Sequence, residues 1–336
     1  MRFPDTKYMG SKRAILPQIM RELAKIEFET VLDAFSGSAC VSYELKRAGK
    51  QVVANDFLEF AHILARATIE NDDARLDPRD IEKLLHPSEA NDFIQRNFTG
   101  LYFNEEDCAF LDNVYANLIE VDSELKRCVA LAALCRACMK KRPRGIFTFV
   151  GHKGWDGRRD LRMSMRDQFL EAVHVFNACV FGNGKRNKAT RQDVFDTSPE
   201  GIDLVYIDTP YISPHSDCDY TRRYHFVEGL CSYWQDVEIQ HNTTTKKIKS
   251  YPTAFCSIKT AEEAFTRLFD HFRNCCLAVS YSSNGVPSKE RLVQLLNQFK
   301  GKVTVKEMPH RYCFGNQAHK VGNNNNQVTE YLFVAT

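Results

Sequence analysis

Apolar and polar positions fall into two rhythms along the 336 residues of this chain. Short unbroken apolar runs bounded by turn residues predict buried strands, and apolar residues spaced three and four apart predict amphipathic helices. FETVLDAF and KQVVANDF are runs of the first kind, and SACVSYELKRAGK between them is of the second. Together they predict a strand-helix-strand unit, the building block of a parallel α/β sheet. Ahead of them, SKRAILPQIMRELAKIE predicts a helix with an N-cap at Ser11, and Pro17 either kinks it or marks a later start. After residue 65 the pattern becomes helical and charged as far as Lys141, through DIEKLLHPSEANDFIQRNF and EEDCAFLDNVYANLIEVDSELKRCVALAALCRACMKK. A basic, glycine-containing loop follows, PRGIFTFVGHKGWDGRRDLR.

From Asp167 the α/β rhythm returns. DQFLEAVHVFNACVF predicts a helix, ATRQDVF and DLVYID strands, and RRYHFVEGLCSYW and AEEAFTRLFDHF helices. CLAVSYSS predicts a strand, SKERLVQLLNQF a helix, and KVTVKEM and VTEYLFVAT two more strands. The expected organisation is an α/β core of residues 1–65 and 165–336, split by a mainly helical insertion, 66–164. NGKRN and Asn323 to Asn326 read as loops, and no internal repeat is visible.

Composition changes this picture little: 43% hydrophobic and 26% charged residues are ordinary for a globular protein. No apolar run approaches a membrane span. The N-terminal MRFPDTKYMGSKR is basic but lacks an apolar signal core, so a cytoplasmic protein is expected. Twelve cysteines spread through a chain of this length fit reduced thiols better than a disulfide framework. Cys135 and Cys138 have the spacing of a zinc pair without a second pair to complete the site, so they are read as buried helix cysteines and no metal site is expected.

Charge is informative only in its distribution. The net charge is +2, yet Arg136 to Met163 carries nine Lys/Arg against Asp156 and Asp160. That run is a candidate footprint for a polyanion, or else a solvated helix end and loop.

The chemistry lies at strand ends. DLVYIDTPYIS runs four apolar residues into Asp208, Thr209, Pro210 and Tyr211, and VLDAFSGSA runs a strand into Asp33 and a small-residue turn. Such a turn lets backbone N–H groups approach a ligand, but the glycine spacing of dinucleotide sites and the Gly-Lys-Ser/Thr phosphate loop are absent. Asp56, at the next strand end, has the placement of a ribose-binding acid.

KYMGSKR at Lys7–Arg13, DAFSGSA at Asp33–Ala39, NDF at Asn55–Phe57, DVF at Asp193–Phe195 and DTPY at Asp208–Tyr211 occur in that order. The set resembles the Dam-like alpha group of DNA adenine-N6 methyltransferases, which use S-adenosylmethionine. The resemblance spans essentially the whole chain in motif order. It implies a Rossmann-like methyltransferase core, mostly parallel with an antiparallel edge hairpin, and an insertion serving as target-recognition domain. It also implies that Lys7, Tyr8, Gly10 and Lys12 lie beside the methionine part of the cofactor. Asp33, Phe35 and Gly37 would form the main cofactor turn, Asp56 would hold the ribose, and Asp193 and Phe195 would flank the cofactor's adenine.

The reaction itself accounts for the DTPY motif. An exocyclic base amine is a poor nucleophile because its lone pair is delocalised into the ring. Two acceptors aimed at its hydrogens, the Asp208 carboxylate and the Thr209 carbonyl, favour a tetrahedral nitrogen and fix its direction. The base must also leave the duplex, at a cost of a few kcal/mol, and stacking on Tyr211 returns about 1–3 kcal/mol. Two residues depart from the family pattern: Thr209 stands where it has proline, and Ala39 where it has a second glycine, which crowds the helix start or shifts the cofactor.

The expected activity is therefore site-specific methylation of adenine N6 in double-stranded DNA by a monomer, in restriction-modification with a cognate endonuclease or as an orphan or phage enzyme. A catalytically silent DNA-binding protein on the same scaffold, or methylation of cytosine's amine or of RNA adenine, are the alternatives. Lys140, Lys141, Arg142, Arg144, Arg158 and Arg159 are the expected DNA contacts. Phe147, Phe149 and Trp155 are read as packing the loop or wedging beside the vacated base. Lys246, Lys247 and Lys249 form a second basic loop, closing on DNA or simply solvated. Tyr281 is placed near the target pocket by the resemblance.

Overall fold

The computed structural model describes residues 3–88, 91–151, 156–212, 218–235, 237–251, 253–311 and 327–336. The chain divides into two compact units, one of Gly10–Phe57, Asn183–Asp219 and Tyr251–Thr336, the other of Met1–Met9, Leu58–Gly182 and Tyr220–Ser250.

The first of these is built on a seven-stranded sheet. Its strands are β1 (Thr30–Asp33), β2 (Gln51–Asp56), β3 (Lys188–Arg191), β4 (Leu204–Ile207), β5 (Cys276–Ser282), β6 (Val303–Arg311) and β7 (Gln327–Ala335). Their spatial order is β3-β2-β1-β4-β5-β7-β6. β1 to β5 run parallel, and β7 enters antiparallel between β5 and β6. The mostly parallel sheet with an antiparallel edge hairpin is the one the sequence led us to expect. Every residue of β4 is buried, because parallel strands covered on both faces need unbroken apolar runs. The short β3 is polar and exposed, as suits an edge.

β1 pairs with both β2 and β4, so the strand order reverses there, and the crevice at the carboxyl ends of these strands is the place where such sheets bind ligands. Phe265, Leu268, Phe269 and Phe272 pack with Val205, Ile207, Leu277 and Val279 in the principal core of this unit.

Two boundaries have local causes. Helix Leu16–Leu23 has Pro17 in its first turn, so the proline starts that helix rather than kinking it. The run ATRQDVF leaves the sheet at Arg191, because the Asp193 side chain caps a single turn, Val194–Asp196.

The other unit is helical. Its central helix, Glu124–Lys140, is buried at every position from Cys128 to Met139, the pattern of a helix surrounded by others. Cys135 and Cys138 are among those buried residues, with Cys135 Sγ 3.5 Å from Cys231 Sγ. Helix Met165–Cys179 packs along it, which draws that segment into this unit although the rhythm of the sequence assigned it to the α/β core. Helix Tyr220–Ser232 belongs here too, its Phe226 ring packing within 5.1 Å of Phe98 and of Phe147. Among the described residues no helix is long and apolar enough to cross a membrane.

Candidate active site

The sheet register puts Asp33 level with Ala54 on one side and Tyr206 on the other, so the acids closing β1, β2 and β4 gather at one end of the sheet. Asp33 is 1% exposed; its Oδ2 accepts from Ser42 Oγ at 2.6 Å, and its Oδ1 has no partner among the described residues. Burial pushes its carboxyl up to about 7; the Ser42 hydrogen bond opposes the rise, and Asp208 and Asp56 add to it.

The turn after β1 is held by backbone donors. Gly37, at φ +49°, donates its amide to Asp56 Oδ2 at 2.8 Å, and Ser36 donates to the Asn55 carbonyl at 2.8 Å. Ala39, which precedes helix Cys40–Arg47, is left-handed at φ +62°. A β-carbon in that conformation costs roughly 1–2 kcal/mol, so the family's glycine answers a backbone need here.

Asn55, quoted in the NDF motif, was given no role by the sequence reading. Buried at the end of β2, it donates to the Ala34 carbonyl (3.3 Å) and the Gln192 carbonyl (3.2 Å) and accepts from Thr190 Oγ1 (2.9 Å). Its signal was only that of a polar residue at the end of an apolar run.

At the end of β4, Lys12 Nζ lies 2.9 Å from Asp208 Oδ1, and the Tyr211 hydroxyl donates to the same oxygen at 2.9 Å. Glu330 completes this cluster and was also missed. Its Oε2 is 3.1 Å from the Tyr211 hydroxyl and 3.7 Å from Lys12 Nζ. Burial raises the Asp208 pKa, Lys12 opposes the rise, and Glu330 adds to it. Burial works against the Lys12 ammonium, yet Asp208 and Glu330 hold its pKa above the ordinary lysine value. The Asp208 side chain keeps 18% exposure, and its Oδ2 has no hydrogen-bond partner among the described residues.

The Tyr211 ring meets Tyr281 edge-on at 4.9 Å. Tyr281 is itself buried, donating to the Val286 carbonyl at 2.6 Å, so it braces Tyr211 from the core. Thr209 is 3% exposed, and its hydroxyl has no partner among the described residues. Pro210 follows it, half-buried.

Beyond β3, Asp193 accepts from the Phe195 amide at 3.0 Å. Phe195 lies parallel to Phe255, and the Arg267 guanidinium sits 3.9 Å over its ring. Phe35 meets Phe255 edge-on at 5.3 Å.

In the KYMGSKR motif, Gly10 turns the chain at φ +76° and Lys12 joins the β4 cluster. Lys7 and Tyr8 belong to the helical unit. Lys7 Nζ donates to the Lys140 carbonyl at 2.8 Å and pairs with Asp160 at 3.5 Å; burial lowers its pKa to about 8. Tyr8 stacks on Tyr224 at 5.2 Å.

The basic run divides into an inner and an outer set. Arg142 is 2% exposed and donates to the carbonyls of Ile146, Phe149 and Gly151, so it organises the loop from within. Lys141 pairs with Asp107 at 2.7 Å, and Lys140 with Asp5 at 3.1 Å, both with little exposed side chain. Arg144 and Arg159 are exposed, Arg159 pairing with Glu171 at 2.8 Å, and the half-buried Arg158 pairs with Asp156. Phe147 is fully buried, and Phe149 lies 4.6 Å from the Arg142 guanidinium, so Phe147 packs the loop. Lys153, Trp155 and Asn323 to Asn326 lie outside the described residues. In the second basic loop, Ile239 bridges to Ile248 and Lys249 pairs with Glu238 at 3.1 Å.

The model of a family described as D12 class N6 adenine-specific DNA methyltransferase matches residues 8–273. The chain is 28% identical to the type II methyltransferase M2.HphI of Haemophilus parahaemolyticus, over 99% of this chain and 98% of that protein. It is 26% identical to the modification methylase StsI of Streptococcus sanguinis and 25% to the type II methyltransferase M.FokI of Planomicrobium okeanokoites. Those matches cover 97% and 91% of this chain but 51% and 49% of the relatives, so the chain spans about half of each.

Proposed function

The chain belongs to the D12 class of N6 adenine-specific DNA methyltransferases, and from that premise we propose that it methylates one adenine, turned out of double-stranded DNA, within a specific site, with S-adenosylmethionine as donor. The observation that carries the proposal is Asp208: one carboxylate oxygen held by Lys12 and Tyr211, the other without a hydrogen-bond partner among the described residues. Asp208 Oδ2 and the Thr209 carbonyl accept the two amine hydrogens. Drawing on both hydrogens localises the nitrogen lone pair and aims it. Tyr211 stacks on the base, its ring direction set by its hydroxyl and by Tyr281.

The residues at the other strand ends fit S-adenosylmethionine, whose ammonium, ribose hydroxyls and adenine amine are all donors. The unpartnered, buried Asp33 Oδ1 is an acceptor awaiting a donor. Asp56 and Asp193 are further acceptors, and Phe195 offers a ring to the adenine. When bound, S-adenosylmethionine supplies an electrophilic methyl group on a sulfonium. Phosphate contacts fall to the outer set, Arg144, Arg158 and Arg159, while Lys140, Lys141 and Arg142 frame the loop that carries them. We assign the helical unit to target recognition, and a restriction-modification setting is supported by the relatives.

Expression in a methylation-free host followed by modification-sensitive sequencing tests this reading. N6-methyladenine confined to one sequence context is expected. Unmodified DNA, or methyl groups found only on cytosine, overturns it.

A further inference from the structure

Glu330 is 119 residues from Tyr211 along the chain, yet it shares the same donors as Asp208. It is 1% exposed on β7, level with Ser282 of β5 and Met308 of β6, so a frame of three strands holds its backbone. Two protein donors, the Lys12 ammonium and the Tyr211 hydroxyl, converge on Asp208 Oδ1 at 2.9 Å each. An oxygen engaged twice has little capacity left for a substrate amine, so Oδ2 is the acceptor on offer. Both donors also reach Glu330 Oε2, at 3.7 and 3.1 Å.

Charge gives the second reason for a carboxylate here. Lys12 and Asp208 alone would cancel. As the amine nitrogen bonds to the methyl carbon and the sulfonium C–S bond breaks to leave a thioether, the nitrogen would be cationic until it releases a proton to solvent, and a neutral pair stabilises that charge poorly. Glu330 places a second acid beside the pair, held there by the sheet before the reaction begins.

We infer that Glu330 is a positioning residue of the methyl-transfer site: it takes a share of Lys12 and Tyr211 so that Asp208 keeps its orientation and its second oxygen for the target amine. This rests on the reading of Asp208 as the amine acceptor. Glu330 also raises the proton affinity of Asp208, so removing its charge shifts the acidic limb of the rate profile to lower pH.

The test is steady-state methylation by the full chain, using S-adenosylmethionine and a duplex carrying the site found by sequencing. Glu330→Gln preserves size and one acceptor oxygen but removes the charge. A fall in kcat of about ten- to a hundredfold is expected, with KM for DNA changed less than about twofold. The acidic limb of kcat is expected to move down by roughly one pH unit. A merely structural carboxylate would lower the unfolding temperature and leave that limb in place, and a folded E330Q with wild-type kcat and limb overturns the inference. Should E330Q fail to fold, Tyr211→Phe decides, since it keeps the ring and removes the shared hydroxyl. A lower kcat at unchanged KM supports the inference, and wild-type kcat in Y211F overturns it. Asp208→Asn separates the two readings. Full activity in D208N sinks the acceptor role itself, whereas an inactive D208N beside a wild-type-like E330Q sinks only the role of Glu330.

Discussion

Replacing Asp33 by asparagine should stabilise the ligand-free protein at pH 8 and, on the proposed reading, weaken its hold on S-adenosylmethionine. The Asp33 carboxyl titrates at about 7 in the folded protein against 3.8 unperturbed, chiefly because it is buried. Between those values the folded state binds the extra proton, so raising the pH through this window removes stability. The loss is complete above the folded pKa and amounts to about 4 kcal/mol, at about 1.4 kcal/mol per pH unit. Asp33→Asn abolishes this dependence. It leaves a buried amide N–H without a partner where Oδ1 stands unpartnered now, at a cost of about 1–3 kcal/mol. The variant is then expected to be more stable than wild type at pH 8, by about 1–3 kcal/mol, and less stable at pH 4. Urea unfolding of both proteins across this pH range measures it. The other carboxylates contribute to both curves, so the difference between them isolates Asp33. A difference that stays flat with pH, or an asparagine variant less stable than wild type at pH 8, would refute the reasoning. On the proposed reading, in which Asp33 receives a donor from S-adenosylmethionine, the unfavourable carboxylate is an acceptor left unfilled until that donor arrives.

Other positions carry equally specific expectations. Gly145 is at φ +73°, and a β-carbon there would lie 2.8 Å from Lys7 Cβ and 2.9 Å from the Lys7 carbonyl oxygen, so Gly145→Ala should cost more than about 2 kcal/mol in thermal unfolding. Arg142→Met strands three carbonyls and should cost about 3–5 kcal/mol. Arg144→Ala should change stability by less than about 0.5 kcal/mol and lower the salt dependence of DNA binding by about one phosphate contact; an unchanged salt slope removes Arg144 from the interface. Thr209→Val removes a buried hydroxyl without a partner among the described residues and should stabilise by about 1 kcal/mol, with kcat retained on the proposed reading, in which the backbone carbonyl is the acceptor. A destabilised Thr209→Val would mean that the hydroxyl has a partner.

The acids of the candidate site were legible because each closes a strand. An apolar run ending in a carboxylate is conspicuous, and Asp33, Asp56 and Asp208 come together because parallel strands share a carboxyl end. The helical character of the chain after residue 65 was legible as a change of period from strand to helix, but which segments the helical unit gathers was not. Helix Met165–Cys179 carries the same spacing whether it packs on a sheet or on Glu124–Lys140, so periodicity alone could not assign it. Burial of the basic run was equally hidden: nothing in KKRPR tells a lysine that faces solvent from an arginine wrapped by its own loop.

What the sequence determined by itself was therefore local and periodic: the strands, the helices, the strand-end acids and the small-residue turn between β1 and its helix. Their causes act over a few residues, through backbone sterics and the spacing of apolar side chains. What only the tertiary structure decided was partnership. Glu330 looks like any polar residue in VTEYLFVAT until β7 inserts beside β5 and brings it to Lys12 and Tyr211. Asp33 reads in the sequence as an acid in a turn at a strand end, and only the fold buries it, raises its pKa and leaves Oδ1 without a partner among the described residues. Solvation and charge pairing depend on distances that close across more than a hundred residues of chain, and no local pattern encodes them.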